Sequence, residues 1–331
     1  MGWDAVSYLE PATKVDRVLR TLVGLGFVRT SSDHTTPKVA HLFYFREQDY
    51  ASLSPIRASV SVVDGGCTVT THTLLERSQH DCETHNLTLR RLRELHGGHF
   101  NSDVGRNKYF KFRGVRRGPC ESGCYLAYRR LERNLNHAES YLFLRQFGAL
   151  TPPKLVPLHP LPLSNSLVRV FLVTSVEDYL KSTYESLLRY SDRKAVALRD
   201  AGRLLSGDDL AAISDGRSLE AIVADSIGFS NLTKSCRHFS TLDPSLNLEG
   251  ALRKPFRRRR VSLFDSVTAM IEARNEFIHR SYVDERYDAT LLAADFSGVA
   301  AATDRIYTAI VARHGWTLEL GSPRRRLRQL S

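Results

Sequence analysis

The sequence predicts an α+β protein: a mixed α+β domain over residues 1–150, then an all-α bundle over residues 165–315. Three observations carry this. Short runs of alternating apolar residues around an Asp64-Gly65-Gly66 turn mark antiparallel strands in the first part. After residue 165 apolar residues recur at three- and four-residue steps, the period of one-sided helices. Between these parts, residues 151–164 hold five prolines, which favour extended, polyproline-like chain and read as a linker. Residues 316–331 form a basic tail.

The elements follow in order. Residues 15–25 have helical periodicity and stop at Gly24 and Gly26. Residues 41–45 and 58–63 read as strands, and 67–72 as the return strand after the glycine turn. Residues 83–95 read as a helix, residues 97–105 as a glycine-rich turn, and residues 126–147 as a long helix. Beyond the linker, helices are expected over 167–190, 192–205, 218–226, 231–239, 262–280 and 289–314. Asp208, Ser218, Ser262 and Asp288 stand where N-caps belong.

Composition narrows the class. At 331 residues there is room for two domains, and 42% hydrophobic with 25% charged residues is ordinary for a soluble globular protein. No apolar stretch is long enough for a bilayer, so no membrane association is expected. The N-terminus lacks the basic and apolar segments of a secretory signal, and position 6 is Val, not the Ser or Thr that myristoylation favours. Five cysteines, odd in number and sparse, point to reduced thiols in a cytoplasm. The net charge of +11 points to a polyanionic partner, nucleic acid first.

That charge is clustered. One cluster runs from Arg90, Arg91 and Arg93 through Arg106, Lys108, Lys111, Arg113, Arg116 and Arg117, with Phe100, Tyr109, Phe110 and Phe112 interleaved. Basic residues that track phosphates, alternating with rings that stack on bases, suit single-stranded RNA. The same residues also read as a strand over 108–113 with rings inward and charges outward. A second cluster, Arg253, Lys254, Arg257, Arg258, Arg259 and Arg260, forms a basic loop directly before the helix over 262–280, where it would hold substrate backbone. A third lies in the tail, at residues 324–328.

No cofactor is indicated. The Gly97-Gly98 and Asp103-x-Gly105 segment lacks the Walker Lys-Ser/Thr and the strand-turn-helix order of a dinucleotide site. Cys120 and Cys124 have near-zinc spacing, and Cys67, His72, His80, Cys82 and His85 cluster upstream, but no second CxxC pair completes a ligand set.

The richest segment is Arg274-Asn275-Glu276-Phe277-Ile278-His279, at the end of the helix over 262–280. Arg274 offers a planar fork of donors to a phosphate. An imidazole such as that of His279 takes up and returns a proton near neutral pH. Asn275 precedes His279 by four residues and shares its helix face, where it can orient the imidazole or the phosphate. Arg274 and His279 are five residues apart, roughly 140° around the helix. Either the Arg side chain wraps round, or a second copy completes the site across a two-fold axis.

This Arg-polar-x3-His pattern resembles the HEPN domain. Phe171 through Leu180 looks like the first long helix of its RiboL-PSP-HEPN subgroup, and Ile227-Gly228-Phe229-Ser230-Asn231-Leu232 resembles the mid-domain segment. The resemblance covers roughly residues 165–315. It implies a metal-independent endoribonuclease acting on RNA as a homodimer through this domain, in toxin–antitoxin or antiviral systems of bacteria, with an antitoxin or defence-system partner protein. Arg274, Asn275 and His279 would then be catalytic. Two other readings remain: a non-catalytic module that binds nucleic acid and dimerises, and a metal-dependent DNA enzyme built on the N-terminal Cys/His cluster. Residues 1–150 carry no such resemblance and are expected to select substrate, sense a trigger or mediate assembly.

Overall fold

The computed structural model describes residues 2–30, 39–63, 66–74, 77–147, 160–200, 206–256 and 260–320. The chain folds as two compact units, Met1–Ser122 and Gly123–Ser331. The fold class is α+β, with a sheet in the first unit and only helices among the described residues of the second.

The first unit is a seven-stranded sheet with two main helices. Its strands are β1 (Trp3–Tyr8), β2 (Val28–Arg29), β3 (Val39–Tyr44), β4 (Ile56–Val63), β5 (Gly66–Thr73), β6 (His99–Ser102) and β7 (Gly105–Arg106). Every pairing is antiparallel, and the order is β2-β3-β4-β5-β1-β6-β7. Helices α1 (Val15–Gly24) and α2 (Gln79–His96) cover one face. Val18, Leu22 and Leu92 pack there on Ala40, Leu42, Ile56, Ala58, Val60 and Val69. Leu89 meets Ala5, Phe100 and Phe110 in the adjoining cluster.

Helix α2 starts four residues before the sequence reading places it. Ser78 and Asp81 form a capping box there, and the buried Asp81 carboxylate also accepts the Leu53 and Ser54 N–H groups at 2.9 and 3.1 Å. Residues 108–113 form no strand; residues read as turn supply β6 and β7 instead. Gly98 (φ +80°) sits so close to β1 that a Cβ would overlap the Tyr8 carbonyl oxygen. This glycine lets the chain approach β1.

The second unit is built from α3 (Pro119–Phe147), α4 (Pro160–Tyr190), α5 (Lys194–Asp200), α6 (Gly207–Ser214), α7 (Leu219–Ile227), α8 (Leu232–Leu242), α9 (Leu248–Arg253), α10 (Leu263–Arg280) and α11 (Ala289–His314). Most of α3 belongs here: Tyr128 stacks on Tyr307 of α11 at 4.3 Å and donates to Asp304 at 2.8 Å. The units thus divide at Ser122, not in the proline-rich stretch, which had placed α3 in the N-terminal domain. Part of that stretch is helix. Pro160 and Pro162 occupy the first turn of α4, where the missing N–H has no helical partner to lose. Residues 151–159 lie outside the described residues.

Helix α4 runs through the middle, burying Leu172, Val173, Val176, Tyr179, Leu180 and Leu188 against neighbours that include α7, α10 and α11. Ser218, Ser262 and Asp288 cap α7, α10 and α11. The cap of α6 is Ser206, with Asp208 inside the first turn, because Ser206 and Asp209 close a capping box.

Candidate functional site

Helix α10 buries Leu263, Phe264, Val267, Met270 and Ile271, then carries its chemistry in the last two turns. There Arg274 turns inward. Its guanidinium pairs with Glu177 of α4, and both side chains are largely buried. Burial pushes the Glu177 carboxyl up from the usual range, and the Arg274 charge pulls it only part of the way back. Glu177 has no role in the sequence reading. The available signal was an acidic residue between the buried Val176 and Tyr179 of a long helix.

Asn275 is half-buried and His279 exposed; neither side chain makes a hydrogen bond among the described residues. The single chain therefore carries the three side chains on one helix end but does not join Arg274 to His279. The helix stops at Ser281 in the left-handed conformation (φ 51°). The following loop is anchored at Tyr287. Its carbonyl accepts from Asn165 of α4 at 2.8 Å, its hydroxyl reaches Asp295 at 2.7 Å, and the Arg169 guanidinium lies 3.3 Å above its ring. Exposed Leu163, Leu167 and Phe171, at four-residue steps, form an apolar stripe on α4.

No family model, curated protein or solved structure matches this chain.

The predicted nucleic-acid residues divide by place. Arg106, Lys108 and Lys111 are exposed, as phosphate contacts require. Two of the four rings interleaved with them are not available to bases. Phe100 and Phe110 are buried in the core, and Phe110 stacks on Trp3 at 4.6 Å. In the second cluster Lys254 and Arg260 are exposed, while Arg257, Arg258 and Arg259 lie outside the described residues. Arg253 is occupied: it pairs with Glu249 at 2.9 Å and Asp265 at 3.1 Å, and its guanidinium covers the Phe264 ring. This cluster precedes the first turn of α10, whereas His279 stands near the last. Sixteen residues of helix between Leu263 and His279 span about 24 Å. Adjacency in sequence does not put the basic loop beside the imidazole of the same chain.

The Cys/His cluster is dispersed among other contacts. His72 pairs with Asp4 at 2.7 Å, His80 with the Tyr44 hydroxyl at 2.9 Å and His85 with Thr71 at 2.8 Å. Cys67 and Cys82 are buried, and burial raises both thiols, Cys82 to about 11. Among the described residues no three His, Cys, Asp or Glu side chains converge as a metal site would need. Nor, among them, is any helix long and apolar enough to cross a membrane.

Proposed function

We propose that this chain is a HEPN-type endoribonuclease that needs no metal and acts as a homodimer, in bacterial defence or as a toxin. One observation carries the reading: α10 ends with an exposed imidazole, and Asn275, one turn earlier, shares its helix face. His279 would take the proton from an RNA 2′-hydroxyl as that oxygen attacks the adjacent phosphorus. The bond to the 5′-oxygen then breaks, and that oxygen receives a proton. The products are a 2′,3′-cyclic phosphate and a free 5′-hydroxyl. Arg274 would offset the charge that builds on the phosphorane oxygens, and Asn275 would orient the imidazole or donate to the phosphate. The second copy supplies what one chain leaves apart, and the Leu163-Leu167-Phe171 stripe is an apolar surface suited to receive it.

The test is incubation of wild-type and His279→Ala protein with total RNA and tRNA in EDTA, followed by end-group analysis. Cleavage by wild type alone, leaving cyclic phosphate ends, is expected; cleavage that survives His279→Ala overturns the assignment. A second reading, a module that binds nucleic acid and dimerises without cleaving, is favoured by the engagement of Arg274 with Glu177. It predicts salt-sensitive binding without product.

A further inference from the structure

The two helices of the first unit cover one face of its sheet, and among the described residues the other face is left open. The register shows what that open face displays. One row across the strands holds Phe43, Arg57, His72 and Asp4. The next holds His41, Ser59, Thr70, Val6, Asn101 and Arg106. The third holds Ser61, Thr68, Tyr8 and His99. Between these rows lie the inward residues of the core, so the face is fixed by the same alternation that builds the sheet.

We propose that this open sheet face is a binding platform for single-stranded RNA. Its rings Tyr8, Phe43 and Phe45 are exposed, where Phe110 of the basic 106–117 segment is buried. Tyr8 stacks on His99 with centroids 5.1 Å apart and planes 20° apart, yet 42% of Tyr8 remains exposed. Phe43 and Phe45, each 37% exposed, border a hollow of about 720 Å³ together with His41, Arg57, Ser59 and Thr30. A nucleobase fits such a hollow, with Phe43 to stack on and the guanidinium of its cross-strand neighbour Arg57 for a phosphate.

Tyr8 and Phe43 lie three strands and four residues apart, roughly 20 Å across the sheet. A strand crossing it would meet one stacking platform at each end. Between the platforms Ser59 and Thr70 offer hydroxyl groups of both hydrogen-bonding senses. That is what a 2′-hydroxyl, donor and acceptor at once, can use.

The charge agrees. Exposed Arg57 and Arg106 stand near opposite edges of the face. The strand acid on it, Asp4, is taken up by His72, and its backbone N–H is held by Asp103. A protein partner would want a continuous apolar centre, which the threonine and serine rows interrupt. A duplex would hide its base faces from the rings.

The preference for RNA over DNA rests on the nuclease reading as well as on these hydroxyls; the single-strand platform does not. The experiment separates the two. Fluorescence anisotropy of a labelled 12-nucleotide mixed-sequence RNA is followed with full-length His279→Ala protein, so that any cleavage is silenced. The same measurement is made with DNA of that sequence and with duplex RNA. The RNA strand should bind most tightly. Tyr8→Ala and Phe43→Ala should each weaken it by about 5- to 100-fold, the loss of one stacked base. Tyr8→Phe should restore it, and Leu95→Ala, an exposed apolar change on the helix side, should leave it unchanged. All these side chains are exposed, and a circular-dichroism melt identical to the parent's checks the fold. Binding unchanged in the Tyr8→Ala, Phe43→Ala double variant, or no binding by the parent, overturns the platform. Equal binding of the DNA strand overturns the choice of RNA. Loss of the nuclease reading in EDTA, with aromatic-dependent RNA binding intact, leaves the platform standing.

Discussion

Acid should destabilise the N-terminal unit, and one histidine contributes an amount that can be isolated. His85 is fully buried, shares a 2.8 Å hydrogen bond with Thr71, and packs its ring 4.8 Å from that of Phe110. Burial, with the Arg77 charge second, pushes its pKa down to about 3. In the unfolded chain the imidazole has its ordinary value near 6.5. Above that pH both states are neutral and the site adds no pH dependence. As the pH falls below 6.5 the unfolded chain takes a proton that the folded one refuses, so stability is lost at about 1.4 kcal/mol per unit until the folded pKa is reached. Between pH 7 and pH 5 this amounts to about 2 kcal/mol for a group whose pKa moves from 6.5 to about 3. The probe is built in. Trp3 stacks on Phe110 beneath the Arg77 guanidinium, and Trp316→Phe leaves it as the sole tryptophan. Urea unfolding followed by Trp3 fluorescence at pH 7, 6 and 5 should show the parent losing about 2 kcal/mol more than His85→Gln. Equal losses in the two proteins would refute the reasoning.

Two further outcomes concern the second unit. Glu177→Gln removes the anion that Arg274 is seated against and leaves that guanidinium largely buried without a counter-charge; a loss of about 1–2 kcal/mol should lower the melting temperature by roughly 2–8 °C, and an unchanged melt would show that the pair holds nothing. Tyr287→Phe deletes the hydroxyl that Asp295 accepts at 2.7 Å and loosens the loop after His279, so a loss of about 1 kcal/mol in urea unfolding is expected, with faster hydrogen exchange over residues 281–288; exchange identical to the parent's would remove Tyr287 as the loop's anchor.

How far the sequence reached can be argued from particular elements. Strands β3 to β5 and helices α7, α8, α10 and α11 show in their periodicity, and Ser218, Ser262 and Asp288 cap where they were expected. Strand β1 does not show. Its inward residues include Ser7 and its outward ones Val6 and Tyr8, so neither face is cleanly apolar. Strand β6 buries only Phe100. Helix α3 reads correctly as a helix, but its core partners Tyr307 and Tyr179 are far along the chain.

By itself the sequence determined the α+β class, the helix that carries Arg274, Asn275 and His279, and the angular separation of the arginine from the imidazole. These follow from the 3.6-residue turn and the two-residue pleat, which are local. The tertiary structure alone decided that β1 lies between β5 and β6, that Glu177 holds Arg274, and that among the described residues one sheet face stays open with its rings displayed. Such choices depend on contacts between residues distant in sequence. Their free energies arise only when apolar faces are buried together, and no window of neighbouring residues records them.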